Sequence, residues 1–193
     1  MKKLSHDEIA VSRSTPETLH TTEKLPVTVI LSSIRSNYNV GSIFRTSDGA
    51  MIEKLYLCGY TPHPPNPDIP GGKKEIHKTA LGATESIDWE FVKDPLEVIA
   101  KLKSKGMKIC ALELTSESKP YYQISDKDFP ICLVIGNEIS GVSQEILDEC
   151  DFSIEIPQYG IKQSLNVAVA YGIAIFELRK KFDTLKNNIR QQL

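Results

Sequence analysis

Three short stretches of this 193-residue chain carry residues that could do chemistry. The first is Asn37-Tyr38-Asn39-Val40-Gly41, followed by Arg45. The second is Gly136-Asn137-Glu138-Ile139-Ser140-Gly141. The third is Pro157-Gln158-Tyr159-Gly160, followed by Ser164-Leu165-Asn166. Each follows a short apolar run and mixes amides, hydroxyls or a charge with glycine. Loops of that kind at the carboxyl ends of parallel strands are where α/β proteins bind ligands. Each also has a plain structural alternative. Asn39 or Ser164 could simply cap a helix, with Asn166 unremarkable in a first turn, and Gly136 and Gly141 could be turn glycines. Two charges resist that alternative. Arg45 stands among Val40, Ile43 and Phe44, and Glu138 follows a strand end with no neighbouring cation. If buried, each must find a polar partner.

Other chemistries lack their signatures. No GxxxxGK[ST] phosphate loop, GxGxxG turn or GxSxG elbow occurs. His6, His20, His63 and His77 are not at ligand spacing, so no metal site is expected. Cys58, Cys110 and Cys132 sit in apolar runs, where cysteine acts as a small hydrophobe, and Cys150 forms no CxxC pair with them. Neither an apolar stretch of membrane-spanning length nor a secretory signal is present, so a cytoplasmic protein with no membrane partner is expected.

The elements that must hold these loops follow from patterning. VTVIL (27–31), KLYLCG (54–59), MKICALEL (107–114), ICLVI (131–135) and FSIEI (152–156) read as strands. Between them come helices at 40–50, a short one at 76–82 ended by Gly82, and one started by Asp94-Pro95 and stopped by Gly106. Ser143–Cys150 opens with half a capping box. Residues 60–74 hold five prolines and two glycines and read as a long loop. Strands alternating with helices predict an α/β fold with a mostly parallel sheet. The division expected is an arm at 1–25, one domain at 26–182 and a basic tail at 183–193. The last helix, Leu165 to about Phe182, is apolar nearly all round, which predicts a second partner surface, most simply a homodimer interface.

Taken together, the three loops resemble the motifs of the SpoU/TrmH family of RNA 2′-O-ribose methyltransferases. Asn39–Arg45 resembles N-x-G-x-x-x-R, Gly136–Gly141 resembles G-x-E-x-x-G, and Ile156-Pro157 through Ser164–Ala170 resembles I-P…S-L-N-V-x-V-A. Gln158 stands where the family often has Met. The resemblance implies a SPOUT-type fold with a C-terminal deep trefoil knot, and S-adenosylmethionine as cofactor. It places the cofactor at Leu112, Glu113, Leu114, Gly136, Asn137, Ile156 and Leu165. It implies catalytic positions at Asn39, Arg45, Glu138, Ser164 and Asn166. Arg45 would clamp the RNA, Asn39 would orient the ribose or Arg45, and Glu138 would hold Arg45 or its loop. A sulfonium methyl is already activated, so the chemistry calls for no metal.

Charge narrows the partner. A formal net charge of −2 argues against coating nucleic acid by bulk charge. A structured RNA recognised over a limited patch is expected, and the resemblance implies tRNA ahead of rRNA, because bare catalytic domains of that family often act on tRNA. Lys73, Lys74, Lys78 and the cations after Glu177 are the candidate contacts. The rival functions are a non-catalytic RNA-binding module that keeps the fold, and a base methylase.

Overall fold

The structure is a computed structural model. It describes residues 1–191 apart from 12, 16, 17 and 20, and without the side chains of 188–191. The readings of His20 and Arg190 therefore lie outside the described residues.

Apolar β-branched runs form the strands β1 (Leu25–Ser32), β2 (Ile52–Cys58), β3 (Trp89–Val92), β4 (Lys108–Leu112), β5 (Lys119–Pro120), β6 (Ile131–Ile135) and β7 (Phe152–Glu155). They make one sheet in the order β3-β2-β1-β6-β4-β7-β5, and every pairing is parallel. β6 is central and β1 lies beside it, with Val29 opposite Leu55 of β2 and Leu133 of β6. The helices are α1 (His6–Ala10), α2 (Asn37–Ala50), α3 (Ile76–Ala80), α4 (Ala83–Ser86), α5 (Pro95–Lys103), α6 (Gln144–Leu147) and α7 (Val167–Gln191). Alternation along the strands splits the core into two layers. Val27, Val29, Leu31, Leu133 and Ile135 face α2, α3 and α7. Ile30, Cys132 and Val134 face α5 and α6. Cys58, Cys110 and Cys132 are buried thiols, and burial pushes the Cys58 thiol up to about 12.

Several boundaries differ from the sequence expectation. Helix α2 begins at Asn37 because Ser36 Oγ accepts the Asn39 N–H at 3.3 Å, so Asn39 lies inside the helix and is not its cap. The 76–82 segment stops at Leu81, in the left-handed region at φ 49°, and Gly82 then leads into α4. Helix α6 has only four residues, and the Ser143 side chain caps nothing. β3 and β5 were not expected. β5 is a two-residue edge strand, too short for a periodic signal. Helix α7 runs on past Phe182 to Gln191, supported by the Arg179–Asp183 pair and Thr184 Oγ1 donating to the Lys180 carbonyl. Asp94 caps α5 by accepting the Leu96 N–H at 2.9 Å, as expected.

The 60–74 segment contains no helix or strand, yet it is anchored. His63 is buried, with Nδ1 at 2.8 Å from the Pro64 carbonyl and Nε2 at 3.3 Å from that of Pro70. Its ring packs against Trp89 and Phe91. A buried aromatic peg therefore does what secondary structure does elsewhere.

Two contacts fix α2 in place. The Tyr171 hydroxyl of α7 hydrogen bonds Ser47 at 2.6 Å inside the core. Gly41 lets α3 lie directly on α2: a Cβ there would stand 2.1 Å from Thr79 Oγ1 and 2.3 Å from the Ile76 carbonyl oxygen. Gly41→Ala should therefore destabilise the fold by about 1–3 kcal/mol, the usual cost of overpacking. Denaturant melts of the two proteins measure it; equal midpoints would contradict the packing described.

Candidate functional site

A parallel sheet sends all its strand ends to one edge. The loops after β4, β6 and β7 meet there and line a cleft of about 590 Å³, and the β1–α2 loop adjoins the β6 loop. That is within the ordinary range for a small-molecule site. Every residue expected at the cofactor lines it: Leu112, Glu113, Leu114, Gly136, Asn137, Ile156 and Leu165. Glu138 and Ser164 line it too, whereas Asn39, Arg45 and Asn166 do not.

The cleft's loops are held by side chains whose amides and carboxylates are already engaged. Asn137 Oδ1 accepts the N–H groups of Ile139 and Ser140 at 2.9 and 3.0 Å, folding the β6–α6 turn on itself. Its Nδ2 donates to the Ser33 carbonyl and to Tyr60 Oη, each at 2.8 Å. Glu113 accepts from its neighbour Leu114 N at 3.0 Å and from Val142 N at 2.9 Å. Both residues shape the wall of the cleft. Gly136 is required for the same closure, because a Cβ would fall 2.2 Å from the Gly141 carbonyl carbon and from Val142 N. Gly141, at φ +68°, lies against Glu113, and a Cβ there would meet Oε2 at 2.2 Å.

Glu138 joins two of the three motif loops. Its carboxylate accepts the Arg35 N–H at 2.9 Å, the Ser36 N–H at 3.1 Å and Asn39 Nδ2 at 3.0 Å. The third loop follows through the amides. Asn166 Nδ2 donates to Asn39 Oδ1 at 3.1 Å, while Asn166 Oδ1 accepts the Ala168 and Val169 N–H groups at 2.9 and 3.4 Å. Asn166 is thus the cap of α7, the place where Ser164 had been weighed. Burial pushes the Glu138 carboxyl upward, but the hydrogen bonds from Arg35, Asn39 and Ser36 outweigh it, and the net shift is below the usual 4.5.

Arg45 sits six residues beyond Asn39 on α2, about 9 Å along the axis. Its side chain is exposed and, among the described residues, makes no hydrogen bond or ion pair. It is not held by Glu138. Glu138 instead holds the loop, the second of the two expected arrangements. The residues that sequence reasoning missed are Ser36, Ser33 and Tyr60. Ser36 had a legible signal, a serine three before the first-turn Asn39. Ser33, at φ 59°, and Tyr60 had none, because only the meeting of β1, β2 and β6 gives them partners.

Acid should loosen this junction. A carboxylate held below its usual range adds stability that is complete above about pH 4.5 and is lost as pH falls through the lowered value. The stability advantage of the wild type over Glu138→Gln should shrink as pH falls below about 4.5. Parallel thermal melts test it; a constant gap would mean the carboxylate charge is not what clamps the loop.

The SpoU rRNA Methylase family model matches residues 26–176. A curated relative, the tRNA (guanosine(18)-2′-O)-methyltransferase of Aquifex aeolicus, is 34% identical over 157 residues, which is 79% of this chain and 68% of that protein. The enzyme of the same name from Escherichia coli K12 is 29% identical over 158 residues, 80% of this chain and 63% of that protein. The chain thus spans about two thirds of the length of these relatives. Among solved structures, the A. aeolicus TrmH/SpoU tRNA modifying enzyme superposes with a TM-score of 0.74 at 28% identity, covering 88% of this chain and 85% of that one. The AdoMet-bound rRNA methyltransferase from Sinorhizobium meliloti gives 0.72 at 29% identity, covering 87% of this chain and 61% of that one. All three loops fall inside the matched region, and the chain belongs to the SpoU rRNA methylase family.

Proposed function

We propose that this protein transfers a methyl group from S-adenosylmethionine to a ribose 2′-hydroxyl of RNA, with tRNA as substrate, in the cytoplasm. The observation that carries the reading is the junction of Glu138, Asn39 and Asn166, which ties the first motif to the two loops that line the cleft, while Arg45, farther along α2, makes no hydrogen bond or ion pair among the described residues. The cleft suits the cofactor. Leu112, Ile154, Ile156 and Leu165 offer apolar walls for a flat purine, and the strand ends at 113–114 and 136–137 offer backbone polar groups. When bound, the cofactor supplies an electrophilic methyl on sulfur. The protein's own task is to hold a ribose hydroxyl in line and let its proton leave. In this reading Ser164, which lines the cleft, faces the ribose. Asn39 and Asn166 act by fixing the loop and the start of α7.

Arginine keeps its proton in proteins, so Arg45 serves as a clamp on RNA phosphate through its planar fork. Arg45→Ala should lower methyl transfer by about 100-fold or more while leaving cofactor affinity nearly unchanged. Arg45→Lys should fail largely as well. Labelled methyl transfer to bulk tRNA and to rRNA, followed by mapping of ribose methylation, tests substrate and residue together. The family's name and the S. meliloti neighbour favour rRNA as the second reading, and incorporation into rRNA alone would establish it. No transfer to either RNA would overturn the proposal.

The active unit we propose is a homodimer through α7. Tyr171, Ala174, Ile175 and Leu178 are buried against the sheet, but Val169 is 52% and Phe176 51% exposed on the other side. Gly49 of α2 borders that strip, with Phe176 Cζ 3.6 Å from where a Gly49 Cβ would be, and Arg45 lies about one helical turn before Gly49. An apolar strip next to a free clamp suits a site completed by a second copy. The strand order, with β7 between β4 and β5 and α7 returning to α2, supports the knotted C-terminus expected of the family. Phe176→Glu should convert a dimer to monomer in sedimentation at micromolar concentration without lowering the melting temperature of the monomer fold. A wild-type monomer would overturn the dimer reading.

The RNA face is narrower than the sequence suggested. In the C-terminal segment Arg179 pairs with Asp183, Lys180 and Lys181 with Glu177, and Lys186 with Glu23. Lys73, Lys74 and Lys78 are exposed and unpaired among the described residues, so the α2–α3 side is the better contact surface.

A further inference from the structure

The turn between β6 and α6 forms a wall of two cavities. One is the cleft described above. The other, of about 280 Å³, shares Asn137, Ser140 and Gly141 with it and is lined further by Ser33, Tyr60, Asp94 and Glu145. We propose that this second cavity receives an unpaired nucleobase of the RNA, next to the target nucleotide, stacked on the Tyr60 ring. The inference rests on the methyltransferase reading and adds a specificity-determining residue to it.

Tyr60 is 63% exposed, yet it is not loose. Its hydroxyl is held at 2.8 Å by Asn137 Nδ2, the same amide that grips the Ser33 carbonyl. The backbone on either side is stitched to the β1–α2 loop. Ser33 N donates to the Cys58 carbonyl at 3.0 Å, and Ile34 N donates to Thr61 Oγ1 at 3.0 Å. Thr61 Oγ1 in turn donates to the Leu31 carbonyl at 2.9 Å. Gly59, at φ +67°, packs so close that a Cβ would meet Ser33 Oγ at 2.3 Å. The result is an aromatic ring tethered by its polar end and open to solvent. A flat surface fixed in advance costs little entropy to use, and an unpaired base is what stacks on it.

The polar groups around the ring decide which part of a nucleotide enters. Asp94 and Glu145 carry carboxylates, which repel phosphate and accept hydrogen bonds. A base edge that presents N–H donors, such as an exocyclic amino group, suits them. Phosphate is directed instead to Arg35, two residues beyond Ser33. The Arg35 N–H is clamped by Glu138, and its exposed side chain makes no hydrogen bond or ion pair among the described residues. Because Asn137 borders both cavities, a base seated on Tyr60 lies beside the wall of the methyl-donor cleft.

Tyr60→Phe, Tyr60→Trp and Tyr60→Leu separate the ring from the hydroxyl. The measurements are kcat and KM for methyl transfer to bulk tRNA, the Kd for that tRNA, and the Kd for S-adenosylmethionine. Tyr60→Leu should raise KM and the tRNA Kd about 10-fold or more, with kcat and cofactor Kd within about 2-fold of wild type. Phe and Trp should keep tRNA affinity within about 3-fold of wild type, because a π-face remains. Equal tRNA affinity for the Leu variant and wild type would overturn the stacked base, as would an equal loss in Leu and Phe. Methyl transfer with a KM indifferent to Tyr60 sinks this inference alone. RNA binding that depends on the ring without any methyl transfer sinks the methyltransferase reading and supports the stacked base. A chain that binds no RNA overturns both.

Discussion

The carboxylate of Glu138 is the point on which the site's geometry rests. Two backbone N–H groups and one side-chain amide converge on it, from residues about 100 positions earlier in the chain. A carboxylate can accept from several donors at once, and charge strengthens each bond. The first turn of α2 is thereby fixed relative to the end of β6. Asn39 turns its other face to Asn166, whose side chain caps the long C-terminal helix. One anion therefore sets the mutual position of three loops that share no secondary structure.

Around that junction, structural and chemical roles divide in a way that residue type does not announce. Asn137 and Glu113 look like ligand-binding residues, yet their side chains hold the walls of the cleft. What they leave for a ligand is shape, apolar strand ends and backbone groups, which suits a cofactor recognised chiefly through main chain. The glycines serve the same end. Gly41, Gly136 and Gly141 are needed because another atom occupies the place of a Cβ.

Charge is distributed by pairing more than by number. Arg179, Lys180, Lys181 and Lys186 of α7 are matched to carboxylates on the same helix or on Glu23, and exposed pairs of that kind add little stability but lower the local potential. Arg35, at the strand-end edge, and Arg45, farther along α2, make no ion pair among the described residues. A protein of net charge −2 can thus still present local positive charge, at Arg35 and Arg45 and at Lys73, Lys74 and Lys78.

Local patterning is enough to read the strands at 27–31, 131–135 and 152–156, the parallel α/β plan and the three polar loops, because alternation and β-branched runs are local signals. It also marked α7 as a helix with more apolar surface than one sheet can cover, and Val169 and Phe176 are indeed left exposed. Tertiary structure decided the rest. Whether Glu138 held Arg45 or the loop depended on which donors the fold brought within 3.1 Å, and those were backbone groups with no sequence signature. The cap of α7 passed to Asn166, two residues beyond Ser164, because its amide also had to reach Asn39. The edge strand β5 exists only because β7 offers it a partner. The anchoring of Tyr60 likewise needed β1, β2 and β6 to end side by side. Partnerships between segments far apart in the chain are written in three dimensions, since each residue type is compatible with many neighbours and the sheet order selects one.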